Sequence, residues 1–329
     1  MKQLSTRITL ITATAISAGA LLHGVAGPAE AQERLAMGGT HGQSAFYSYQ
    51  VAVMSDWNRE IDGLDMSIQE LGGASASTDA LLRGEVDVGI SVTSSDYAAW
   101  NDGNDQLRTL YFFAPLPLNW IVAEDSGIGS IEEIAGNDFN PGSRGSATEG
   151  QTEAIVEMLD LGIDLYRADG SDALDAYQNR RIDGFVKAGM HPDGYIQQAH
   201  SARSVKLLPM SQEAAERVTD ELAYFSVATV DPEDYYGEQD SALTTVQTAI
   251  GINTTTGLSE EMAYEIVQRV FSQEGLEAAA SGYPPADRVD PAELTLDASV
   301  APLHAGVVRY FEDQGVEVPE HLIPEEYEG

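Results

Sequence analysis

The chain contains no cysteine, so disulfide bonds, thiolate catalysis and cysteine-based metal sites are excluded. Its six histidines are scattered without the spacing of metal ligands. Neither a G-x-S-x-G turn nor an H-E-x-x-H helix occurs, and no carboxylate pair stands out from the many acidic residues as an acid/base pair. The sequence therefore favours neither an enzyme nor a metal-binding protein, and we expect no cofactor.

Positive charge is also scarce. Lysine occurs only at positions 2, 187 and 206, and 17 Lys and Arg residues face 53 Asp and Glu residues, which gives a formal net charge of −36. Nucleic acid and anionic membrane surfaces are therefore unfavourable partners. The acidic residues are spread along the chain, which is typical of a halophilic surface on which external salt screens the repulsion.

A long apolar run occurs only at the N-terminus. Lys2 and Arg7 precede the run Ile8 to Leu22, and Ala29-Glu30-Ala31 has the small-x-small pattern of a cleavage site. Later apolar segments are shorter than the roughly 18 residues of a membrane span. We therefore predict a signal peptide over residues 1–31 and a mature periplasmic protein.

Short apolar segments alternate with helical patterns along the mature chain, which is typical of an α/β protein. Two apolar runs, 107–113 and 118–123, are separated by Ala114-Pro115-Leu116-Pro117 and predict two strands. A middle α/β block, 121–227, interrupts an outer block formed by 32–120 and 228–329. We predict two lobes with these bounds, a ligand cleft between them and a monomeric or weakly associating protein.

Glycine, serine and threonine cluster where several predicted strands meet helices. The carboxyl ends of parallel strands face a common crevice, so these junctions predict a binding site, although each one alone is ordinary turn chemistry. Basic residues and histidines nearby complete the set. The candidate ligand-binding residues are Gly39, Thr40, His41, Gly73, Ala74, Ser75, Thr93, Ser94, Arg144, Ser146, Ala147, Thr148, Lys187 and His191.

The segment 140–153 is the most informative of these junctions. It leads into an amphipathic helix, and a helix N-terminus offers unpaired N–H groups that attract carboxylate or phosphate. Arg144 and Lys187 are candidate counter-charges for an anion, but the first suits a surface ion pair and the second a lysine that extends to solvent. His191 lies beside Pro192, where a histidine is more often a residue at the start of a helix than a pocket contact.

The order of motifs resembles the TAXI group of solute-binding proteins, which serve tripartite ATP-independent periplasmic (TRAP) transporters. The resemblance covers essentially the whole mature chain. It rests on Met37-Gly38-Gly39-Thr40, Gly72-Gly73 with Gly84-Glu85-Val86-Asp87-Val88, Asp125-Ser126-Gly127-Ile128, Ser130 to Gly136, Pro141 to Glu149, Asp183-Gly184-Phe185, Leu207-Leu208-Pro209 and Leu303 to Tyr310.

This resemblance implies a type II periplasmic-binding-protein fold, with two α/β lobes around a hinged cleft. It also implies a receptor for glutamate or a related dicarboxylate, with TRAP membrane permease subunits as partners. The chain departs from the family pattern at Ala74-Ser75-Ala76-Ser77 and Val92-Thr93-Ser94, both at ligand-facing turns. A periplasmic sensor domain that signals to a membrane protein, or a periplasmic enzyme, is the alternative.

Overall fold

The computed structural model describes residues 33–42, 44–231, 236 and 241–329, and the predicted signal peptide lies outside them. The strands are β1 (Glu33–Gly39), β2 (Leu64–Glu70), β3 (Val88–Val92), β4 (Leu107–Ala123), β5 (Asp138–Asn140), β6 (Asp164–Leu165), β7 (Gly184–Ala188), β8 (Val205–Leu208), β9 (Ser226–Val230) and β10 (Leu243–Thr255). The helices are α1 (Ala45–Glu60), α2 (Ala74–Leu82), α3 (Thr93–Asn101), α4 (Ala147–Leu159), α5 (Gly170–Gln178), α6 (Gly194–Ala202), α7 (Gln212–Glu221), α8 (Glu260–Val270), α9 (Gln273–Gly282), α10 (Pro291–Ala298) and α11 (Ala305–Asp313). Short 3-10 helices cover Glu124–Ser126, Ile131–Glu133, Pro284–Arg288 and Glu320–Leu322.

The strands form two sheets that share β4. In the first sheet the order is β2-β1-β3-β10-β4, and β9 pairs with β10. β1 runs parallel to β2 and β3, whereas β10 is antiparallel to β3 and β4. In the second sheet β4 pairs with β7 and β8, and β5 lies parallel to β6 and β7.

β4 replaces the two separate strands that the sequence predicts at 107–113 and 118–123. It continues through Pro115 and Pro117, which remove two backbone N–H donors. The pairing with β7 begins only at Leu118, so both prolines precede the segment that is bonded on that side. A proline is tolerated where a strand lacks one neighbour, and a single strand therefore connects the two sheets.

Large aromatic side chains fill the core of the first sheet. Tyr49 of α1 stacks on Phe113 of β4 with ring centroids 3.6 Å apart, and Trp57 meets Tyr111 edge-on at 6.3 Å. Each is almost fully buried. Aromatic pairs of this kind stabilise a fold by more than their buried area alone, so they fix α1 against β4. Gln50 of α1 in turn bonds to the backbone of Gly38 and Thr40 and holds the end of β1 in place.

The predicted α/β class is confirmed: two sheets share β4, and a cavity is lined by residues of both sheets and of the helices that follow their strands. Helices follow β1, β2 and β3 in the first sheet and β5 to β8 in the second. These connections bring the carboxyl ends of several strands to one place. The candidate site lies there.

Candidate functional site

Most of the candidate residues line one cavity, which we call the main cavity. Its volume is about 320 Å³, at the small end of the range for ligand pockets. Nine of the candidate residues line it: Thr40, His41, Gly73, Ala74, Arg144, Ser146, Ala147, Thr148 and Lys187. The other lining residues are Ser44, Phe46, Gly72, Val92, Leu116, Asn140, Gly142, Ser143, Gln151, Gly170, Val186, Ala188, Tyr195 and Ile250. None of the residues in this described lining is Asp or Glu.

The N-terminus of α4 faces the main cavity. Ser146 is its N-cap, and the Ser146 hydroxyl accepts a hydrogen bond from the Glu149 amide at 3.2 Å. The Ala147 and Thr148 amides precede the first bond within the helix and belong to the N–H groups that a helix leaves unpaired. Both residues line the cavity, so partial positive charge points into it.

The N-terminus of α2 lies across the cavity. Its N-cap is Gly73, which supplies no capping side chain, and Gly73 and Ala74 both line the cavity. The Gly73 carbonyl accepts from the Ser77 amide at 3.0 Å, and a helix leaves the amides of its first turn without partners inside the helix. Two helix N-termini, one from each sheet, therefore face the same space.

Thr40, directly after β1, supplies a buried hydroxyl. The side chain is 7% exposed, and its Oγ1 has no hydrogen-bond partner among the described residues. Its backbone amide donates to Gln50 Oε1 at 3.1 Å, which fixes the position of the residue. A buried hydroxyl without a partner is costly, so this atom is suited to a polar group that enters the cavity.

Arg144 provides a positive charge at the mouth of the cavity. Its Nη2 donates to the Arg167 carbonyl at 2.9 Å, and no carboxylate of the described residues lies within ion-pair distance of it. The neighbouring Glu153 carboxylate pairs with Arg167 instead, and its Oε1 lies 2.7 Å from Arg167 Nη2. The charge of Arg144 is therefore uncompensated in the sense that no carboxylate of the described residues lies within 4 Å of it, although the Glu149 carboxylate accepts a hydrogen bond from the neighbouring Gly145 amide at 2.6 Å.

Lys187, near the end of β7, is already paired. Its ammonium donates to the Ala188 carbonyl at 2.7 Å and lies 3.4 Å from Asp193 Oδ2. The other oxygen of Asp193 caps α6 by accepting from the Tyr195 and Ile196 amides. Lys187 lines the cavity, but Asp193 compensates its charge.

His41 lies at the rim. Its imidazole is 3.7 Å from Glu70, and its side chain is 72% exposed. A contact of this kind between exposed groups contributes little to the free energy of unfolding. His41 therefore offers a hydrogen bond to a ligand at the entrance rather than a fixed charge inside.

The inner wall of the main cavity is apolar. Val92, Leu116, Val186 and Ile250 come from β3, β4, β7 and β10, and each is at most 5% exposed. They lie at the point where the two sheets meet. The cavity is therefore asymmetric, with polar groups around its helix-lined end and aliphatic side chains at its base.

Ser75 and Ser94 lie outside the main cavity and line a side cavity of about 420 Å³, together with Thr78, Ser95, Tyr97 and Tyr224. Ser146, Ala147 and Gln151 border both spaces. Gln151 is 3% exposed, and its amide donates to Ser94 Oγ at 2.8 Å. This bond joins α4 of the second sheet to α3 of the first.

The three remaining candidate residues line neither the main cavity nor the side cavity. Thr93 is buried, and its hydroxyl donates to the Tyr224 carbonyl at 3.1 Å. Gly39 ends β1, where a Cβ would lie 3.0 Å from Ile68. His191 is 6% exposed, outside the lining of the main cavity.

His191 instead bridges two elements. Its Nδ1 lies 2.9 Å from the Tyr236 hydroxyl and its Nε2 lies 3.0 Å from Asn119 Oδ1. The Asn119 amide nitrogen donates to three carbonyls, so its oxygen accepts from His191 Nε2. Burial lowers the pKa of His191 to about 4, and the imidazole is neutral at neutral pH.

The aliphatic wall and Tyr195 were not among the sequence candidates. Val92, Leu116, Val186 and Ile250 resemble ordinary core residues in the sequence, because their strands are apolar throughout. Tyr195 donates to the Gly170 carbonyl at 2.7 Å, a contact between distant segments. Asn140 and Ser143 did carry a signal, since both lie in the glycine-rich segment before α4.

In the described ranges, no group of three or more His, Asp or Glu side chains is arranged to hold a metal ion. Within those same ranges, no helix is both long enough and apolar enough to cross a membrane.

Solved structures similar to this chain include three with low sequence identity. The periplasmic aliphatic sulphonate binding protein SsuA of Escherichia coli is 15% identical, with a TM-score of 0.48 over 90% of this chain and 94% of that chain. The periplasmic VFT2 domain of Bordetella pertussis BvgS is 13% identical, with a TM-score of 0.47 over 78% and 93% of the two chains. A Streptococcus mutans structure described for glutathione import via GshT and the cystine ABC importer TcyBC is 12% identical, with a TM-score of 0.49 over 77% and 95%.

The sequence also matches a family over most of its length. The match runs from residue 35 to residue 315 and includes every segment that lines the main cavity. The chain belongs to the NMT1-like family.

Proposed function

We propose that this protein is a solute-binding receptor that captures a small organic acid in the main cavity and delivers it to a membrane transporter. The charge of the cavity carries this proposal. The chain has 53 Asp and Glu residues, yet none belongs to the described lining, which contains Arg144, Lys187 and His41 instead. A wall of this kind favours an anion.

The polar end of the cavity suits a carboxylate. The Ala147 and Thr148 amides and the Thr40 hydroxyl are donors without partners of their own, and Arg144 adds an uncompensated charge. Hydrogen bonds to a charged acceptor are stronger than those between neutral groups. We propose that these groups bind one carboxylate of the ligand.

Closure of two lobes would enclose the acid. In this proposal lobe I comprises 32–120 and 228–329, and lobe II comprises 121–227. Gln151 of lobe II donates to Ser94 and to Thr248 of lobe I, at 2.8 Å and 3.4 Å. A ligand that contacts both lobes stabilises the closed state only by its greater affinity for that state.

The transporter we propose is of the TRAP type, because of the resemblance to TAXI proteins. That resemblance also implies glutamate or a related dicarboxylate as the ligand. The signal-peptide pattern supports a periplasmic receptor. Membrane permease subunits are the partners in this scheme, and the receptor acts as a monomer.

Identification of the acid tests the proposal. The mature protein would be purified from the periplasm of a host and denatured, and the released small molecules identified by mass spectrometry. We expect one organic acid per protein molecule. Calorimetric titration of that acid into refolded, ligand-free protein should give one binding site.

Three outcomes would contradict the proposal. A protein that releases no acid and binds none from a panel of carboxylates is not such a receptor. Conversion of the bound acid to a product over time would show an enzyme. Tight binding of an acid, combined with unchanged uptake in cells that lack the gene, would favour the sensor.

A further inference from the structure

The two cationic side chains at the main cavity differ in a way that bears on the ligand. Asp193 lies 3.4 Å from the Lys187 ammonium, whereas Arg144 has no carboxylate of the described chain within ion-pair distance. Asp193 itself is held in place because its other oxygen caps α6. The cavity therefore presents one uncompensated cation.

A second carboxylate would find no second cation free of a carboxylate partner in the described lining, and only the partial positive charge of the α2 N-terminus remains there for it. Beyond Arg144 and the helix N-termini, the cavity ends on Val92, Leu116, Val186 and Ile250, all at most 5% exposed. A charged group placed against aliphatic side chains loses its hydration and gains no counter-charge. An apolar group there would gain from burial.

An ammonium group would also lack a partner. No Asp or Glu belongs to the described lining, so the positive charge of an amino acid would meet no carboxylate in the cavity. The Asp193 carboxylate is engaged with Lys187 and with α6. Glutamate carries both an ammonium and a second carboxylate, and neither is complemented.

We infer that the ligand is a monocarboxylate with a compact apolar body and no amino group. This inference rests on the proposed receptor function, and it replaces the dicarboxylate that the TAXI resemblance implies with a monocarboxylate. The carboxylate binds Arg144, the α4 N-terminus and the Thr40 hydroxyl. The apolar body lies against the aliphatic wall, where the two sheets meet.

The test compares four acids of similar size in calorimetric titrations of ligand-free protein: 4-methylpentanoate, glutarate, leucine and glutamate. We expect 4-methylpentanoate to bind at least tenfold more tightly than each of the others. Glutarate, leucine or glutamate binding as tightly as 4-methylpentanoate would overturn the inference and leave the receptor function intact. No binding of any of the four would count against the receptor function as well.

Asp193→Asn tests the reason for the preference. Asparagine retains an oxygen that can cap α6, but it frees the Lys187 charge. We expect the preference for 4-methylpentanoate over glutarate to fall at least fivefold. The matched control is Asp290→Asn, because Asp290 caps α10 by accepting from the Ala292 and Glu293 amides and lies outside the cavity lining.

Equal preferences in the two variants would overturn the role of the Lys187–Asp193 pair. The melting temperature of each variant would be measured first, since both caps stabilise a helix. If Asp193→Asn unfolds, the comparison of the four acids with the unaltered protein still decides the ligand class.

Discussion

Arg144 is the side chain on which the binding of a carboxylate should depend most. We expect Arg144→Ala to weaken the affinity for the acid by about 1.5–3 kcal/mol, the range for hydrogen bonds to charged groups. Calorimetry with 4-methylpentanoate, or with the acid released from the protein, measures this loss. The melting temperature should stay the same, because Arg144 is exposed and, among the described residues, bonds only to the Arg167 carbonyl.

Arg217→Ala is the matched control. Arg217 is an exposed arginine that likewise donates to a backbone carbonyl, that of Met158, at 2.8 Å. It does not line the main cavity. Its removal should change affinity by less than about 1 kcal/mol, and equal losses in both variants would show that long-range charge alone governs binding.

Thr40→Val separates a ligand donor from a structural hydroxyl. Valine keeps the branched shape and removes a buried oxygen that has no partner among the described residues. Loss of such a group should leave the free energy of unfolding unchanged or raise it, because no hydrogen bond is broken. Affinity for the acid should fall about tenfold, or about 1.4 kcal/mol. Unfolding in urea and calorimetry measure the two effects, and lower stability with normal binding would contradict the assignment.

Asp96 should make stability depend on pH. It is fully buried, accepts a hydrogen bond from the Ser91 hydroxyl, and burial raises its pKa to about 7. The folded state therefore holds a proton that the unfolded state releases near its ordinary pKa of 3.8. The free energy of unfolding should decrease as pH rises from about 4 to 7.

Asp96→Asn isolates this contribution. Asparagine cannot ionise, so the difference in melting temperature between the two proteins should change across pH 4 to 7, to the disadvantage of the unaltered protein at the higher pH. Measurements in molar salt reduce the contribution of the acidic surface. A difference that is constant with pH would show that Asp96 is ionised throughout.

Two glycines in helices should respond oppositely to alanine. Gly306 in α11 packs against α8, and a Cβ there would lie 2.2 Å from the Glu260 carbonyl oxygen. Gly306→Ala should lower the free energy of unfolding by about 1–3 kcal/mol, the usual cost of overpacking. At Gly150 in α4 a Cβ meets nothing within 4 Å, and Gly150→Ala should raise it by about 0.5–1 kcal/mol. Urea unfolding distinguishes the two, and changes of the same sign would contradict the packing argument.

Several strands were predictable from sequence, because β1, β3 and β7 are short and largely apolar runs that end at, or are followed by, glycine or threonine. β4 was not. Its two prolines at 115 and 117 signal an interruption, and only the absence of β7 beside them shows why the strand continues. Whether a neighbouring strand lies beside a given residue depends on how distant segments of the chain pair. The local sequence pattern does not reveal that pairing.

The polar end of the site was predictable for a similar reason. Thr40, Gly73 and the segment before α4 lie at junctions that carry small polar residues, and α/β connectivity brings such junctions together. The Lys187–Asp193 pair and the aliphatic wall were not predictable, because they depend on side-chain positions across several strands. The sequence indicated an anion, and the structure adds the reason to expect only one charged group.

At the scale of the whole molecule, charge is distributed unevenly. The described lining of the main cavity lacks acidic residues, while the chain carries a formal net charge of −36. An anionic ligand is therefore repelled at long range and attracted only near the cavity. We propose that the protein works in concentrated salt, where screening shortens the range of that repulsion.

The thermal stability of the whole molecule should accordingly rise with salt. Screening weakens repulsion between exposed carboxylates as the Debye length falls from about 10 Å at 0.1 M to about 3 Å at 1 M. Scanning calorimetry from dilute buffer to molar sodium chloride should show a rising melting temperature at pH 7. The rise should be much smaller at pH 4, where many carboxylates are protonated, and a general salting-out effect would instead persist there. A melting temperature that does not change with salt at pH 7 would show that the acidic surface costs the fold little.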